Sequence, residues 1–187
     1  MIRSLTPAQR LIIVAAVQFL ILFAVLGFKQ YTVWTGDTVL LRVEPVDPRD
    51  PFRGDFAAVR YEISQIDVDE IAGTDYPNGG VYVELDEDAE GYAVAVAVNE
   101  TREHEFEGTQ LIKGTITRSR TELVEGRTHV IFTVEYGIEE IFIPAGSGAD
   151  LPSPDEGTLA VEVKVDRFGN AVARRFMLDG EPLDLGR

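Results

Sequence analysis

Two patterns of hydrophobic residues divide the chain into unequal parts. Leu11 to Phe28 is a run of eighteen residues in which Gln18 is the only polar side chain. At the rise of an α-helix this run spans about 27 Å, close to the hydrocarbon thickness of a bilayer. Beyond residue 36, apolar and polar residues alternate in short segments separated by turn residues. The pattern predicts one transmembrane helix followed by a β-domain.

The β prediction rests on alternating segments of four to eight residues, which are typical of half-buried strands. Residues 92–98 are apolar at every position and predict a central strand covered on both faces. Asp166 to Asn170 is predicted to be a hairpin turn before a last strand, Ala171 to Leu178. The short strands and frequent turns indicate a mainly β fold, either an antiparallel β-sandwich or a partly open β-barrel. The alternating apolar positions are Val39, Leu41 and Val43; Ala57, Val59, Tyr61 and Ile63; Val81, Val83 and Leu85; Val130, Phe132, Val134 and Tyr136; and Leu159, Val161, Val163 and Val165.

Charges around the apolar run predict its orientation in the membrane. Arg3 and Arg10 precede the run and Lys29 follows it, while Tyr31 and Trp34 lie where interfacial aromatic residues are common. The positive-inside rule then places the N-terminus in the cytoplasm and the remainder across the cell membrane.

This orientation gives three segments. Residues 1–29 are expected to form a cytoplasmic stub and a single-pass signal anchor, residues 30–36 a linker, and residues 37–187 an extracytoplasmic β-domain. A cleaved signal peptide is the alternative. Its hydrophobic region would span ~7–15 residues and end at a pair of small residues, and the residues after this longer run (GFKQYTVW) offer no good pair.

Composition excludes several chemistries. The 187 residues contain no cysteine, which excludes disulfides, thiolate metal sites and a cysteine nucleophile. Two histidines, His104 and His129, are too few for a multi-histidine metal centre, so we expect no metal and no cofactor. All 32 acidic residues lie beyond Lys29, against 14 basic ones, so that part carries a net charge of −18. Such a balance argues against nucleic-acid binding.

The segment from Val43 to Ile63 contains the densest set of structural and candidate functional residues. Prolines at 45, 48 and 51 forbid helix and predict a stiff, extended connection between two strands. The arginines at 49 and 53 lie among three aspartates, at 47, 50 and 55, and can form bidentate ion pairs with them. We interpret this segment as a self-paired structural corner. The functional alternative is that the aspartates act as acid, base or cation ligands.

These residues also carry a family resemblance. Pro45 to Asp50 followed by Arg53 to Tyr61 resembles the signature of the GDYXXLXY-domain family of bacterial membrane-anchored proteins, and so do residues 136–140, 142–148 and 178–180. Phe56 stands where the motif has Tyr, and Val59 where it has Leu, so a hydroxyl at position 56 cannot carry an essential reaction of the family. The resemblance implies a single-pass anchor and an extracytoplasmic domain, often encoded beside a multi-pass membrane protein, and brings no established activity.

The candidate binding or structural residues follow from the motif and its later pieces. Gln18 is added as a candidate contact with a partner helix, because its amide has no water to bond in hydrocarbon. The set is Asp47, Pro48, Arg49, Asp50, Arg53, Gly54, Asp55, Phe56 and Tyr61 in the first motif, Tyr136, Gly137, Pro144, Gly146, Ser147 and Gly148 in the second, and Gln18 in the anchor.

Two familiar site types fit the sequence poorly. Asp86 to Gly91 begins like a calcium loop, but its twelfth position is Ala97 rather than a bidentate glutamate, so a hairpin tip is predicted. Serine–lysine peptidase chemistry needs a serine just after the anchor, and residues 29–55 contain none. Ser147, between two glycines, is compatible with an anion-binding turn or with a plain surface loop.

Three classes of function remain. The first is a non-catalytic accessory or assembly subunit, whose partners are the lipid bilayer and a multi-pass integral membrane protein. The second is a periplasmic or wall-associated ligand-binding module, and the third is a carboxylate-based hydrolase. We favour the first, because no catalytic constellation is visible in the sequence.

Overall fold

The computed structural model describes residues 6–44, 56–68, 79–102, 106–124, 126–142, 151–152 and 156–184. It contains one long helix and a set of strands, with a short 3-10 turn at Glu62–Ser64. The elements are α1 (Pro7–Thr35), β1 (Asp37–Arg42), β2 (Phe56–Ala58), β3 (Gln65–Asp67), β4 (Gly80–Glu87), β5 (Ala93–Asn99), β6 (Gln110–Val124), β7 (Arg127–Glu135), β8 (Glu140–Phe142), β9 (Leu159–Val165), β10 (Ala171–Leu178) and β11 (Glu181–Pro182).

The strands form antiparallel sheets that share one core. One sheet has the order β1–β9–β10–β11, another β3–β7–β6–β4–β5, and β2 pairs with β8. Leu41 and Val163 of the first sheet lie in the same contiguous buried cluster as Val83 and Val134 of the second. In the described residues neither large sheet closes on itself. The predicted mainly β fold with antiparallel sheets is confirmed.

Helix α1 begins at a well-formed cap and carries no buried apolar stripe. The Thr6 hydroxyl accepts a hydrogen bond from the Gln9 backbone N–H, the Gln9 side chain accepts one from Thr6 N–H, and Pro7 occupies the first helical position. No part of its most apolar eighteen-residue window is buried, and the helix is long and apolar enough to cross a membrane.

The helix continues beyond the expected boundary at residue 29. Residues 30–35, which we expected to form part of a linker, are helical, and only Gly36 separates α1 from β1. Neither Gly nor Pro interrupts this stretch, and Thr32 is buried against the β-domain, so tertiary contact stabilises the additional turns. The helix therefore enters the domain without a flexible connection.

Two strand predictions need correction. Residues 92–98 were expected to form a central strand, but β5 is an edge strand among the described residues, hydrogen-bonded only to β4. Its apolar character has a tertiary cause, because β1 and the 3-10 turn pack against it. The alternation from 57 to 63 predicted one strand. Instead β2 ends at Ala58, and the chain passes through an isolated bridge at Tyr61 and the 3-10 turn into β3.

Candidate functional site

The described residues include part of the predicted site set. Asp47, Pro48, Arg49, Asp50, Arg53, Gly54 and Asp55 lie outside the described residues, as do Pro144, Gly146, Ser147 and Gly148. Phe56 is described in its backbone, in β2. Tyr61, Tyr136 and Gly137 lie together at one place in the fold, and Gln18 is exposed on α1.

The two motif segments are neighbours in space although they are distant in sequence. In the pairing of β2 with β8, Phe56 lies opposite Phe142 and Ala58 opposite Glu140. The next backbone N–H, that of Val59, donates to the carbonyl of Glu139 at 2.8 Å. The two parts of the family signature therefore form one structural unit.

A pair of buried tyrosines fastens this unit. The Tyr61 hydroxyl donates to the Ile138 carbonyl at 2.6 Å, and the Tyr136 hydroxyl donates to the Ile63 carbonyl at 2.6 Å. Burial, with a smaller contribution from the negative charge of Glu139, raises the pKa of both tyrosines, so both hydroxyls stay protonated and act as donors. Their geometry is that of structural hydrogen bonds between segments.

A second cluster joins α1 to the β-domain, and we name it the helix joint (Thr32, Gly36, Lys164, Asp166 and Asn170). The buried Thr32 hydroxyl donates to Asp166 Oδ2 at 2.7 Å. The same carboxylate accepts hydrogen bonds from the backbone N–H groups of Phe168 and Asn170 and from the Asn170 side-chain amide. Asp166 thus closes the β9–β10 turn and holds the last turns of the helix at once.

The electrostatics of Asp166 follow from these contacts. Burial opposes ionisation of the carboxyl, but hydrogen bonds from Asn170, Thr32 and Phe168 outweigh it and hold the pKa of Asp166 below its usual value. The group is therefore a charged acceptor at neutral pH, which makes its hydrogen bonds stronger than neutral ones.

Close backbone approach completes the helix joint. The Gly36 N–H donates to the Thr32 carbonyl at 2.9 Å, and the Lys164 ammonium donates to the Gly36 carbonyl at 3.2 Å and to the Thr38 hydroxyl at 2.7 Å. A Cβ at position 36 would lie 2.6 Å from the Thr32 carbonyl oxygen and 3.0 Å from the backbone of Val165. Only glycine fits between helix and strand at this separation.

Gly36→Ala is expected to lower the free energy of unfolding by about 1–3 kcal/mol, because backbone atoms must move to admit the methyl group. Gly27→Ala is the matched control, since a Cβ at Gly27 meets nothing within 4 Å and alanine favours helix. Urea unfolding in mild detergent, followed by circular dichroism, measures both. Equal stabilities of the two variants would contradict the tight contact at Gly36.

A groove lies between α1, the second motif and β10. It has a volume of about 360 Å³ and opens to solvent. Its helix wall is built from positions spaced four and three residues apart, which lie on one face of α1. The groove is lined by Leu26, Gln30 and Val33 of α1, by Gly137, Ile138 and Glu140, and by Ala171, Val172 and Ala173 of β10.

The hairpin tip between β4 and β5 is a structured turn, as predicted. The Asp88 carboxylate accepts hydrogen bonds from the backbone N–H groups of Tyr92 and Glu90, and the Arg42 guanidinium contacts Asp88 and Glu90 and stacks 4.4 Å from the Tyr92 ring centroid. The hydrogen bond from Tyr92, followed by those from Glu90 and Arg42, lowers the pKa of Asp88. Backbone groups and an arginine thus bind the carboxylate at the third position of the calcium-like pattern.

Sequence reasoning missed the partners in two polar contacts. Thr32 was not singled out, and its bond to Asp166 joins residues 134 positions apart. His129 was considered only as one of two histidines too few for a metal centre, but its Nδ1 lies 2.5 Å from Asp67 Oδ2, and both side chains are largely buried. No local signal pairs such residues, because β3 and β7 become neighbours only in the folded sheet.

Comparison with known proteins supports the family resemblance. No curated protein and no solved structure matches the chain. A family model described as GDYXXLXY protein matches residues 18–176, a range that contains the two motif segments, the tyrosine pair and the helix joint. Since this match covers most of the 187 residues, the chain belongs to the GDYXXLXY family.

Proposed function

We propose that this protein is a non-catalytic accessory or assembly subunit, anchored by α1 in the cell membrane and docked on an integral membrane partner. The observation that carries the proposal is the helix joint. The membrane-spanning candidate and the β-domain are fastened by Thr32, Asp166 and Gly36 rather than linked by a flexible segment. A rigid connection suits a subunit that holds a domain at a fixed height beside a partner.

The surface of α1 supports docking within the membrane. Apolar side chains cover the helix on all sides, and Phe19 and Phe23 are 61% and 68% exposed. An apolar helix without a buried face needs lipid, a second helix, or both, to cover it. The groove beside Leu26 and Gln30 continues this exposed surface onto the β-domain.

The buried acids support a non-catalytic role. Glu162 bonds Arg175 through two nitrogens, Asp166 is held in the helix joint, and Glu84 accepts from the Phe106 N–H and the Thr109 hydroxyl. Each of these three carboxylates therefore has a structural partner. A carboxylate-based hydrolase needs a pair of acids that face a substrate cleft.

The orientation is proposed on charge. Arg3 and Arg10 flank the N-terminal end of the apolar run, so we place the N-terminus in the cytoplasm and the β-domain outside.

Affinity purification of the full chain in mild detergent tests this function. We expect a multi-pass membrane protein to co-purify in a fixed ratio, and a chain recovered alone would contradict the proposal. Gln18→Leu should leave membrane insertion intact and weaken partner association about threefold, and at most about twentyfold, because interhelical hydrogen bonds contribute about 0.6 kcal/mol on average and at most about 1.7.

The control for Gln18→Leu is Ala16→Leu, which adds apolar bulk two residues away, about 200° around the helix. It should leave partner recovery unchanged. An equal loss in both variants would assign the effect to altered helix packing in general. Unchanged recovery in Gln18→Leu would exclude that amide as a contact and leave docking to the β-domain and the groove.

A further inference from the structure

The β9–β10 turn lies at the membrane end of the β-domain. Strand β1 begins directly after the helix, and β9 runs antiparallel to it, with Asp37 opposite Val165. The turn that follows β9, residues 166–170, must therefore return to the end of the sheet at which α1 enters. The bond between Thr32 and Asp166 ties this turn to the helix.

The height of this turn matches the lipid headgroups if α1 spans a bilayer. Thr32 is four residues beyond Phe28, the end of the apolar run, and therefore about 6 Å further along the helix axis. The headgroup layer occupies roughly 5–8 Å on each side of the hydrocarbon core. The turn bound to Thr32 is thus at the level of lipid phosphates.

Four basic side chains gather around this turn, and we name them the cationic face (Arg102, Lys113, Lys164 and Arg167). Arg102 donates to the Arg167 carbonyl at 3.2 Å, and Lys113 reaches the Asn170 side chain at 3.3 Å. Lys164 donates to the carbonyl of Gly36, directly after the helix. Arg102 and Lys113 come from other parts of the chain than Lys164 and Arg167, and the fold brings them to the same turn.

Aromatic side chains accompany these cations. The guanidinium groups of Arg102 and Arg167 lie 5.4 Å and 4.7 Å from the centroid of the Phe168 ring. Trp34, in the last turn of α1, is 80% exposed. Aromatic rings at the end of a spanning helix are typical of the membrane–water interface.

The acid of the turn does not offset this charge at the surface. Asp166 is fully buried and directs its carboxylate toward Thr32 and Asn170, whereas Arg102 and Arg167 are exposed. The chain beyond Lys29 carries a net charge of −18, so an anionic membrane repels it as a whole. Asp37 and Glu100 are also exposed at this end, so the local attraction for lipid comes from the four basic side chains themselves and not from a net positive charge of the whole end.

We propose that the cationic face binds the phosphate headgroups of anionic phospholipids in the leaflet at the C-terminal end of α1. This inference rests on the proposed membrane anchoring and adds a lipid-binding surface to it. The bound headgroups would fix the height and rotation of the β-domain over the membrane.

The test uses the full chain in nanodiscs that contain equal amounts of phosphatidylglycerol and phosphatidylcholine. Native mass spectrometry after release counts the lipids that stay bound. We expect phosphatidylglycerol to be retained roughly fivefold more than phosphatidylcholine. This ratio corresponds to the attraction of one basic residue to a charged surface. Arg102→Gln combined with Arg167→Gln should lower this ratio toward one, with Lys113 and Lys164 left in place.

The matched control is Arg118→Gln combined with Arg127→Gln. Both arginines are exposed on the β6–β7 hairpin, and Arg127 pairs with Val124 at its far end, about 36 Å along β6 from Lys113. This control removes the same charge and should retain the preference. If the Arg102/Arg167 double variant fails to fold, Arg167→Gln alone provides the comparison.

Three outcomes would overturn the proposal. They are equal retention of the two lipids by the unmodified chain, equal loss in the control variant, and displacement of phosphatidylglycerol by inorganic phosphate but not by chloride at the same ionic strength. The last would indicate a site for a soluble anion. Recovery of the chain outside the nanodiscs would instead contradict the anchor itself, so the two failures are distinguishable.

Discussion

Tyr61→Ala is expected to lower the free energy of unfolding by about 3–5 kcal/mol, the usual cost of truncating a large buried aromatic side chain. Tyr61 is completely buried, and its hydroxyl bonds the Ile138 carbonyl at the junction of the two family motifs. The truncation leaves a cavity and an unpaired buried carbonyl at the same point. Urea unfolding followed by circular dichroism measures the loss.

Tyr61→Phe separates the hydroxyl from the ring. It should lower the free energy of unfolding by about 1–3 kcal/mol, because only the buried carbonyl loses its donor. Tyr82→Phe is the control, since the Tyr82 ring is only half-buried and contacts Lys113 through its face. An unchanged unfolding midpoint in Tyr61→Phe, with reduced partner recovery, would show that the hydroxyl serves binding rather than stability.

Asp166→Ala is expected to lower the free energy of unfolding by about 2–4 kcal/mol, because it leaves the buried donor of Thr32 and the part-buried donors of Phe168 and Asn170 without their acceptor. Asp86→Ala, at an exposed aspartate that accepts a hydrogen bond from the N–H of its neighbour Glu87, should stay within about 0.5 kcal/mol of the unmodified protein. Comparable losses in the two variants would contradict the central position of Asp166 in the helix joint.

The low pKa of Asp166 also predicts a pH dependence. A carboxyl whose pKa is lower in the folded than in the unfolded state binds more protons when unfolded, so its contribution to stability is complete above the unfolded value of about 4. That contribution is lost as the pH falls through the lower, folded value. Asp166→Asn should remove this part of the acid sensitivity, and unfolding curves from pH 7 down to pH 2 measure it.

Local sequence was sufficient for the elements with regular patterns. The apolar run from Leu11 to Phe28 predicted the long helix, and the alternation around Val83 and Val163 predicted β4 and β9. The Asp166–Asn170 turn was also predicted, because aspartate, glycine and asparagine favour a tight hairpin connection. These features depend on the conformation and the exposed face of nearby residues, which periodicity encodes directly.

The candidate site depended on contacts that periodicity does not encode. An alternating pattern shows which side chains point inward, but not which strand lies beside which. The edge position of β5 and the pairing of β2 with β8 were therefore decided by the folded sheets.

The helix joint shows most clearly which contacts the sequence determined and which the tertiary structure decided. Sequence by itself determined that this protein has an apolar helix, an acidic β-domain and a hairpin turn at Asp166. Only the tertiary structure decided that Thr32 bonds that aspartate across 134 residues and that Gly36 admits the close approach of helix and strand. The physical reason is that a buried carboxylate must find donors wherever the packed chain supplies them, and the identity of those donors is a property of the packing rather than of the neighbouring sequence.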